Sequence, residues 1–262
     1  MKVFLFASFK VPTGSMEPAV VPGDFVLVNK LLIGPRIYKN SGFLRGKKTP
    51  YIRIKGLQTI RRNDILVFDA PYLASGCLKQ LPDQFYVKRC IAIPGDTLSI
   101  DNGFYRVQGY PEPLGNYRNQ LLLSQTTGEE PAKDIVSFFP NDTAYRWNMK
   151  YFVPLYIPRK GDSLELNRQN IALYKPLIQH ETEKTITVRD GQLFLGSEPL
   201  WSYTFTRNYY FMAGDYVPGS LDSRYWGLLP DDFIVGKVAI IWKSEDPQTG
   251  KFRWNRFLKS IK

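Results

Sequence analysis

Histidine is almost absent from this chain: among 262 residues there is one, His180. A single imidazole excludes multi-histidine metal sites and leaves any Ser-His-Asp triad dependent on one residue. No catalytic motif surrounds it. His180 follows NRQNIALYKPLIQ, and its expected place is a solvent-exposed helix end. Cysteine is nearly as scarce. Cys77 and Cys90 are too few for a disulfide framework and lack metal-ligand spacing. The residues therefore point to no metal and no cofactor, and a Cys77–Cys90 bridge is the less favoured of two options. Long apolar runs are missing too: none approaches the roughly 18 residues that a membrane-spanning helix needs. Acidic residues are outnumbered, 24 against 35 basic, for a formal charge of +11. That balance suits an anionic partner, either nucleic acid or acidic lipid headgroups. Much of the excess lies in FLRGKKTPYIRIKGLQTIRRND, where Arg45, Lys47, Lys48, Arg53, Lys55, Arg61 and Arg62 face only Asp64. A solvated basic loop explains that stretch equally well.

What is present is aromatic and turn-rich. Aromatics make up 15% of the chain, and 20 Gly and 19 Pro punctuate short β-branched runs, which favours a mainly β fold. FVLVNK (25–30), DILVFDAP (64–71), FYVKRCIAI (85–93) and FIVGKVAIIW (233–242) have the length and boundaries of strands. Asn102-Gly103 and Asp190-Gly191 each predict a hairpin turn. PGDFVLV, PGDTLSI and KGDSLEL open three strands alike, as repeated turn grammar rather than a true internal repeat. Residues 106–205 have fewer strand-like runs. They hold one amphipathic helix pattern, at Ile171, Tyr174, Leu177 and Ile178, which Pro176 weakens. This region reads as an inserted domain between the two parts of a core, residues 1–105 and 206–262.

The opening MKVFLFASFKVPTGSMEP places Val3, Phe4, Leu5, Phe6 and Phe9 just ahead of Ser15. The cluster is too short to span a bilayer and carries no cleavage pattern. It fits a first β-strand or the outer end of something removed. Ser15 as a nucleophile would need a base. With no credible histidine, a lysine is the alternative, and it must be neutral near pH 7, some 3 units below its free value of about 10.4. Lys88 in QFYVKRCIAIPGD has suitable neighbours in Phe85, Tyr86, Val87, Ile91 and Ile93. Strand alternation sets Lys88 and Arg89 on opposite faces, one toward a site and the other outward. A third segment, MAGDYVPGSLDSRYWGLLPDDFIVGKV, offers Ser220, Asp222, Ser223 and Arg224 in a Gly-rich turn that could orient such a lysine.

Together, PTGSMEPAVVPGDFVLVNK, RRNDILVFDAP with FYVKRCIAIPGD, and GDYVPGSLDSRYWGLLPDDFIVGKV resemble, in order, the conserved segments of bacterial type I signal peptidases, membrane-bound Ser-Lys proteases. The resemblance implies a mainly β catalytic core of antiparallel, barrel-like sheet, with Ser15 as nucleophile and Lys88 as general base. It further implies Ser220 as the hydroxyl orienting the amine, Thr13 with the Ser15 N–H as the oxyanion hole, and Asp222–Arg224 as a structural ion pair. Met16 falls at a packing position. This chain departs from the family at Tyr216, where the signature commonly reads Gly-Asp-Asn, and at Gly219, where an Asn often precedes the orienting serine.

The implied substrates are signal peptides of exported preproteins with small residues at the first and third positions before the cut. Other implied partners are a lipid surface and, as an option, secretion machinery, with no nucleic acid. The implied location is the inner membrane with the catalytic domain facing the periplasm, and the expectation is a soluble fragment without the family's N-terminal membrane helix. Val3 to Phe9, Leu31-Leu32-Ile33 and the basic 45–62 stretch are the expected lipid contacts. Two rivals remain: a self-cleaving Ser-Lys repressor-type protease, for which no DNA-binding domain is visible, and a basic β module binding nucleic acid.

Overall fold

A computed structural model of the protein describes residues 5–38, 51–74, 76–126, 138–142 and 144–261. The first elements are β1 Phe6–Lys10, β2 Asp24–Asn29, β3 Arg36–Tyr38, β4 Tyr51–Arg53, β5 Ile65–Ala74, β6 Cys77–Ala92, β7 Thr97–Asp101 and β8 Phe104–Val107. Then come α1 Tyr117–Gln125, β9 Phe152–Tyr156, β10 Ser163–Glu165, α2 Ile171–Thr182, β11 Ile186–Arg189, β12 Gln192–Leu195, β13 Glu198–Pro199 and β14 Ser202–Thr204. The last are β15 Tyr209–Ala213, α3 Ser223–Trp226, β16 Leu229–Pro230, β17 Ile234–Ser244 and β18 Lys259–Ser260. The protein is mainly β, and its strand pairings are antiparallel. The principal sheet runs β1-β2-β17-β5-β6-β15-β16, with β18 joined to β17.

Both faces of this sheet are covered, and strand alternation divides its residues between two cores. On β5, Ile65 and Val67 pack with Val11, Met16, Val20, Val26 and Val28 on one side. Leu66 and Phe68 enter the larger core on the other. That larger core is continuous with residues 106–205: Leu155, Leu166, Leu173, Tyr174 and Leu193 join Ile91, Phe211 and Leu229 in one cluster. Burial on both sides explains why β5 reads as an unbroken apolar run rather than an alternating one.

The repeated turn openings share one set of bonds. In each, the Asp carboxylate accepts the N–H three residues earlier: Val21 to Asp24 at 2.9 Å, Ile93 to Asp96 at 2.9 Å and Arg159 to Asp162 at 2.8 Å. The Asp N–H returns a bond to the carbonyl of that same residue. The glycine between has positive φ, which an L-side chain rarely adopts. Arg61–Asp64 builds the same turn with Asn63 at φ 68 in place of glycine. Asn102-Gly103 and Asp190-Gly191 likewise form hairpin turns, with positive φ at both residues of each pair.

Two expectations need correction. His180 is not a solvent-exposed helix end: its Nδ1 lies 3.1 Å from the Leu78 carbonyl, its Nε2 3.3 Å from Asp232, and its ring packs edge-on against Phe233. The histidine serves to dock α2 on β6 and on the start of β17. Arg53 and Arg62 are not part of a solvated basic face. Arg53 donates to the Gly34 and Ile234 carbonyls at 3.1 and 2.5 Å, while Arg62 forms a bidentate pair with Asp96 and covers the Tyr110 ring. Arg45, Lys47, Lys48, Val3 and Phe4 lie outside the described residues. Neither Cys77 nor Cys90 is in a disulfide. Pro176 does not break α2, which continues to Thr182 with one face buried. Among the described residues no helix is long and apolar enough to cross a membrane.

Candidate active site

Ser15 lies in the loop from β1 to β2, one residue before Met16. Met16 is buried in the smaller core, and its carbonyl accepts the Val20 N–H at 3.0 Å. From the other side, the Ser15 carbonyl accepts the Tyr216 N–H at 3.1 Å. The serine backbone is thus held by a buried anchor and by the loop that follows β15, and its side chain stays partly accessible.

Lys88 stands opposite Leu66 in the β5–β6 pairing. It is only 5% exposed, and its Nζ lies 2.6 Å from Ser15 Oγ and 5.7 Å from the Tyr86 ring centroid. Burial pushes the amine down to about 8; Asp222 draws it up, Arg224 pushes it down and Asp215 draws it up again. The outward placement expected for the alternate residue does not hold. Arg89 is also 5% exposed, forms a bidentate pair with Asp215 at 2.7 and 2.6 Å, and donates to the Asn63 carbonyl. A sheet covered on both faces gives a strand no outward side, so the second cation needs its own counter-ion.

That counter-ion belongs to the loop carrying the other site residues. Asp222 Oδ2 accepts from Ser220 Oγ at 2.7 Å and from the Gly214 N–H at 3.0 Å. Arg224 binds both carboxylate oxygens, Nε to Oδ1 at 2.8 Å and Nη2 to Oδ2 at 2.6 Å, and its Nη2 also donates to the Val217 carbonyl. Ser220, Asp222 and Arg224 are completely buried. Burial disfavours the Asp222 charge, yet Arg224 beside it holds the carboxyl below the ordinary range. Removing one partner of such a pair costs about 3–5 kcal/mol, because the other charge is left buried alone. The Ser220 proton is committed to Asp222, which leaves the oxygen's lone pairs to receive a bond from an amine.

Close approach requires Gly214. A methyl group there would sit 2.2 Å from Ser220 Oγ and 2.4 Å from the Ser15 carbonyl oxygen, so this backbone separates the two serines without a side chain. The departures at 216 and 219 fit one another: a methyl group on Gly219 would lie 2.6 Å from two carbons of the Tyr216 ring. Tyr216 fills the space that a side chain at 219 would occupy. Thr13 is exposed, two residues before Ser15. Among the described residues, no group of three or more His, Cys, Asp or Glu side chains is placed to hold a metal ion.

Sequence reasoning missed three contributors. The Arg89–Asp215 pair joins segments 126 positions apart, although both residues lie inside quoted motifs. Gly214 had a signal, as the glycine of Gly-Asp-Tyr, but its role depends on distances alone. Asn119, on the unanticipated helix α1, had no signal; its Nδ2 reaches the Glu17 carbonyl at 3.0 Å and the Asp215 carbonyl at 2.8 Å.

Residues 1–243 match the family described as signal peptidase, peptidase S26. The chain belongs to that family. Signal peptidase I of Pseudomonas aeruginosa is 28% identical to it over 260 residues, covering 95% of this chain and 69% of that one. Signal peptidase I of Buchnera aphidicola subsp. Baizongia pistaciae is 27% identical over 250 residues, covering 92% and 71%. For that of Aquifex aeolicus the values are 25% over 260 residues, 93% and 78%. The molecule is therefore a peptidase of the S26 family, and Ser15, Lys88 and the 214–224 loop fall within the matched span.

Proposed function

We propose that this S26 peptidase is a type I signal peptidase, cutting N-terminal signal peptides from exported preproteins through an acyl-enzyme formed on Ser15. The observation that carries the reading is Lys88 Nζ at 2.6 Å from Ser15 Oγ in a buried setting that favours the neutral amine. A neutral Lys88 accepts the Ser15 proton as Oγ attacks the scissile carbonyl, then delivers it to the departing amine. Neutral again, it takes a proton from water, whose oxygen attacks the ester, and returns that proton to Ser15 Oγ as the acyl group leaves. Ser220 is assigned to orient the amine through its lone pairs. Thr13, whose side chain is accessible, is assigned with the Ser15 N–H to the oxyanion. The substrate is an extended peptide with small residues at the first and third positions before the cut, held by strand addition.

In this reading the enzyme works at the outer side of the inner membrane. Phe6 opens the edge strand β1 and Leu5 immediately precedes it; both are exposed apolar groups on the segment that leads to the nucleophile, and they are the lipid contacts proposed here. Leu31, Leu32 and Ile33 are only half-exposed beside residues 57 and 58, so they contribute less. The test is cleavage of an internally quenched peptide with alanine at both small positions. Ser15→Ala and Lys88→Ala should each abolish cleavage, and the double variant should be no worse than either, because the two act as one unit. Most of the activity surviving in Lys88→Ala would sink the assignment.

A further inference from the structure

Helix α1 is outside every quoted motif, yet it touches the site at two points. Asn116 caps the helix by accepting the Asn119 N–H at 3.0 Å, which fixes Asn119 in the first turn. Leu123, one turn further along, is buried against Val217 and Met149, so the helix is anchored on the 214–224 loop. From that position Asn119 Nδ2 donates to two carbonyls from different parts of the chain: Glu17, two residues after the nucleophile, and Asp215. Asp215 is a junction. Its carboxylate holds Arg89, the neighbour of Lys88, and the next N–H, of Tyr216, holds the Ser15 carbonyl.

We propose that Asn119 is a positioning residue of this peptidase, a two-armed clamp that fixes the nucleophile loop against the 214–224 loop and so sets the distance between Ser15 and Lys88. The inference rests on the Ser15–Lys88 reading above. A primary amide suits this place because one nitrogen carries two protons for two carbonyl oxygens. No other side chain of the same size does so. The clamp bonds the Glu17 and Asp215 carbonyls and neither Ser15 Oγ nor Lys88 Nζ, so its loss is expected to act on the chemical step more than on binding.

Asn119→Asp is the decisive variant. It has the same shape, and a carboxylate in the first helical turn suits the helix dipole, so α1 persists while both donors are lost. The expected result is a loss of kcat of about tenfold to a hundredfold, the range for sub-ångström to ångström misplacement of a reacting pair, with KM changed less than about threefold. The pH-rate profile should also move to higher pH, since a loosened loop admits water to the Lys88 amine. Asn119→Ala should behave alike, and Leu122→Ala, exposed on the same helix, should match the parent. Hydrogen exchange at the Tyr216 N–H should speed up in both Asn119 variants. That readout needs no substrate, so the clamp stands or falls separately from the proposed reaction. Parent-like kcat, or a loss no larger than the loss of folded fraction, with unchanged Tyr216 exchange in both Asn119 variants would overturn the proposal.

Discussion

The buried amine of Lys88 makes the pH profile the most searching test of the site. Burial lowers its pKa from 10.5 to about 8, a difference worth about 3 kcal/mol between the two protonation states. At pH 7 about a tenth of the molecules then hold a neutral lysine, against about three in ten thousand for an unperturbed one. The peptidase rate should climb tenfold per pH unit below about 8 and flatten above it. Stability follows the same linkage. Between about 8 and 10.5 the unfolded lysine holds a proton that the folded one has lost, so the burial penalty of this group is progressively relieved and stability rises with pH through that window. Below 8 both states are protonated and the full burial penalty remains. Lys88→Met, apolar and of similar length, should therefore abolish cleavage and raise stability at pH 7 by about 1–3 kcal/mol, the penalty less the lost bond to Ser15. The assays are kcat/KM of the quenched peptide from pH 6 to 10.5 and urea unfolding of parent and variant at pH 7. A rate still rising tenfold per unit at pH 10, together with a Lys88→Met protein less stable than the parent, would refute the reasoning.

Gly219→Asn should destabilise by about 1–2 kcal/mol, since the Tyr216 ring must swing out of its place. In Tyr216→Ala the same change should cost almost nothing, and equal costs in both backgrounds in a denaturant double-mutant cycle would disprove the fit. The exposed Leu5 and Phe6 should bring the protein down with anionic vesicles at low salt, less so with neutral ones, and Leu5→Ser with Phe6→Ser should reduce this; absence of binding under every condition would remove lipid from the proposed partners.

Local chemistry was enough for the sequence to determine several of the strands and turns, but not short strands within residues 106–205 such as β9 and β14 that pair only once the larger core closes. Runs such as DILVFDAP are β-branched and bounded by turn formers, and Gly-Asp and Asn-Gly pairs set their own backbone bonds with neighbours three residues away, so no distant partner was needed. Ser15, Lys88, Ser220, Asp222 and Arg224 could be picked out for a related reason: each lies in a short segment whose pattern is itself distinctive. Their meeting was another matter. The 2.6 Å between Ser15 and Lys88 spans 73 positions, and it exists because β2 and β6 are brought together through β17 and β5. The same long-range closure turned Arg89 inward toward Asp215, took His180 out of solvent, and placed Asn119 across two loops. Those outcomes depend on which faces of the sheet are covered and by what, and alternation along one strand carries no information about that.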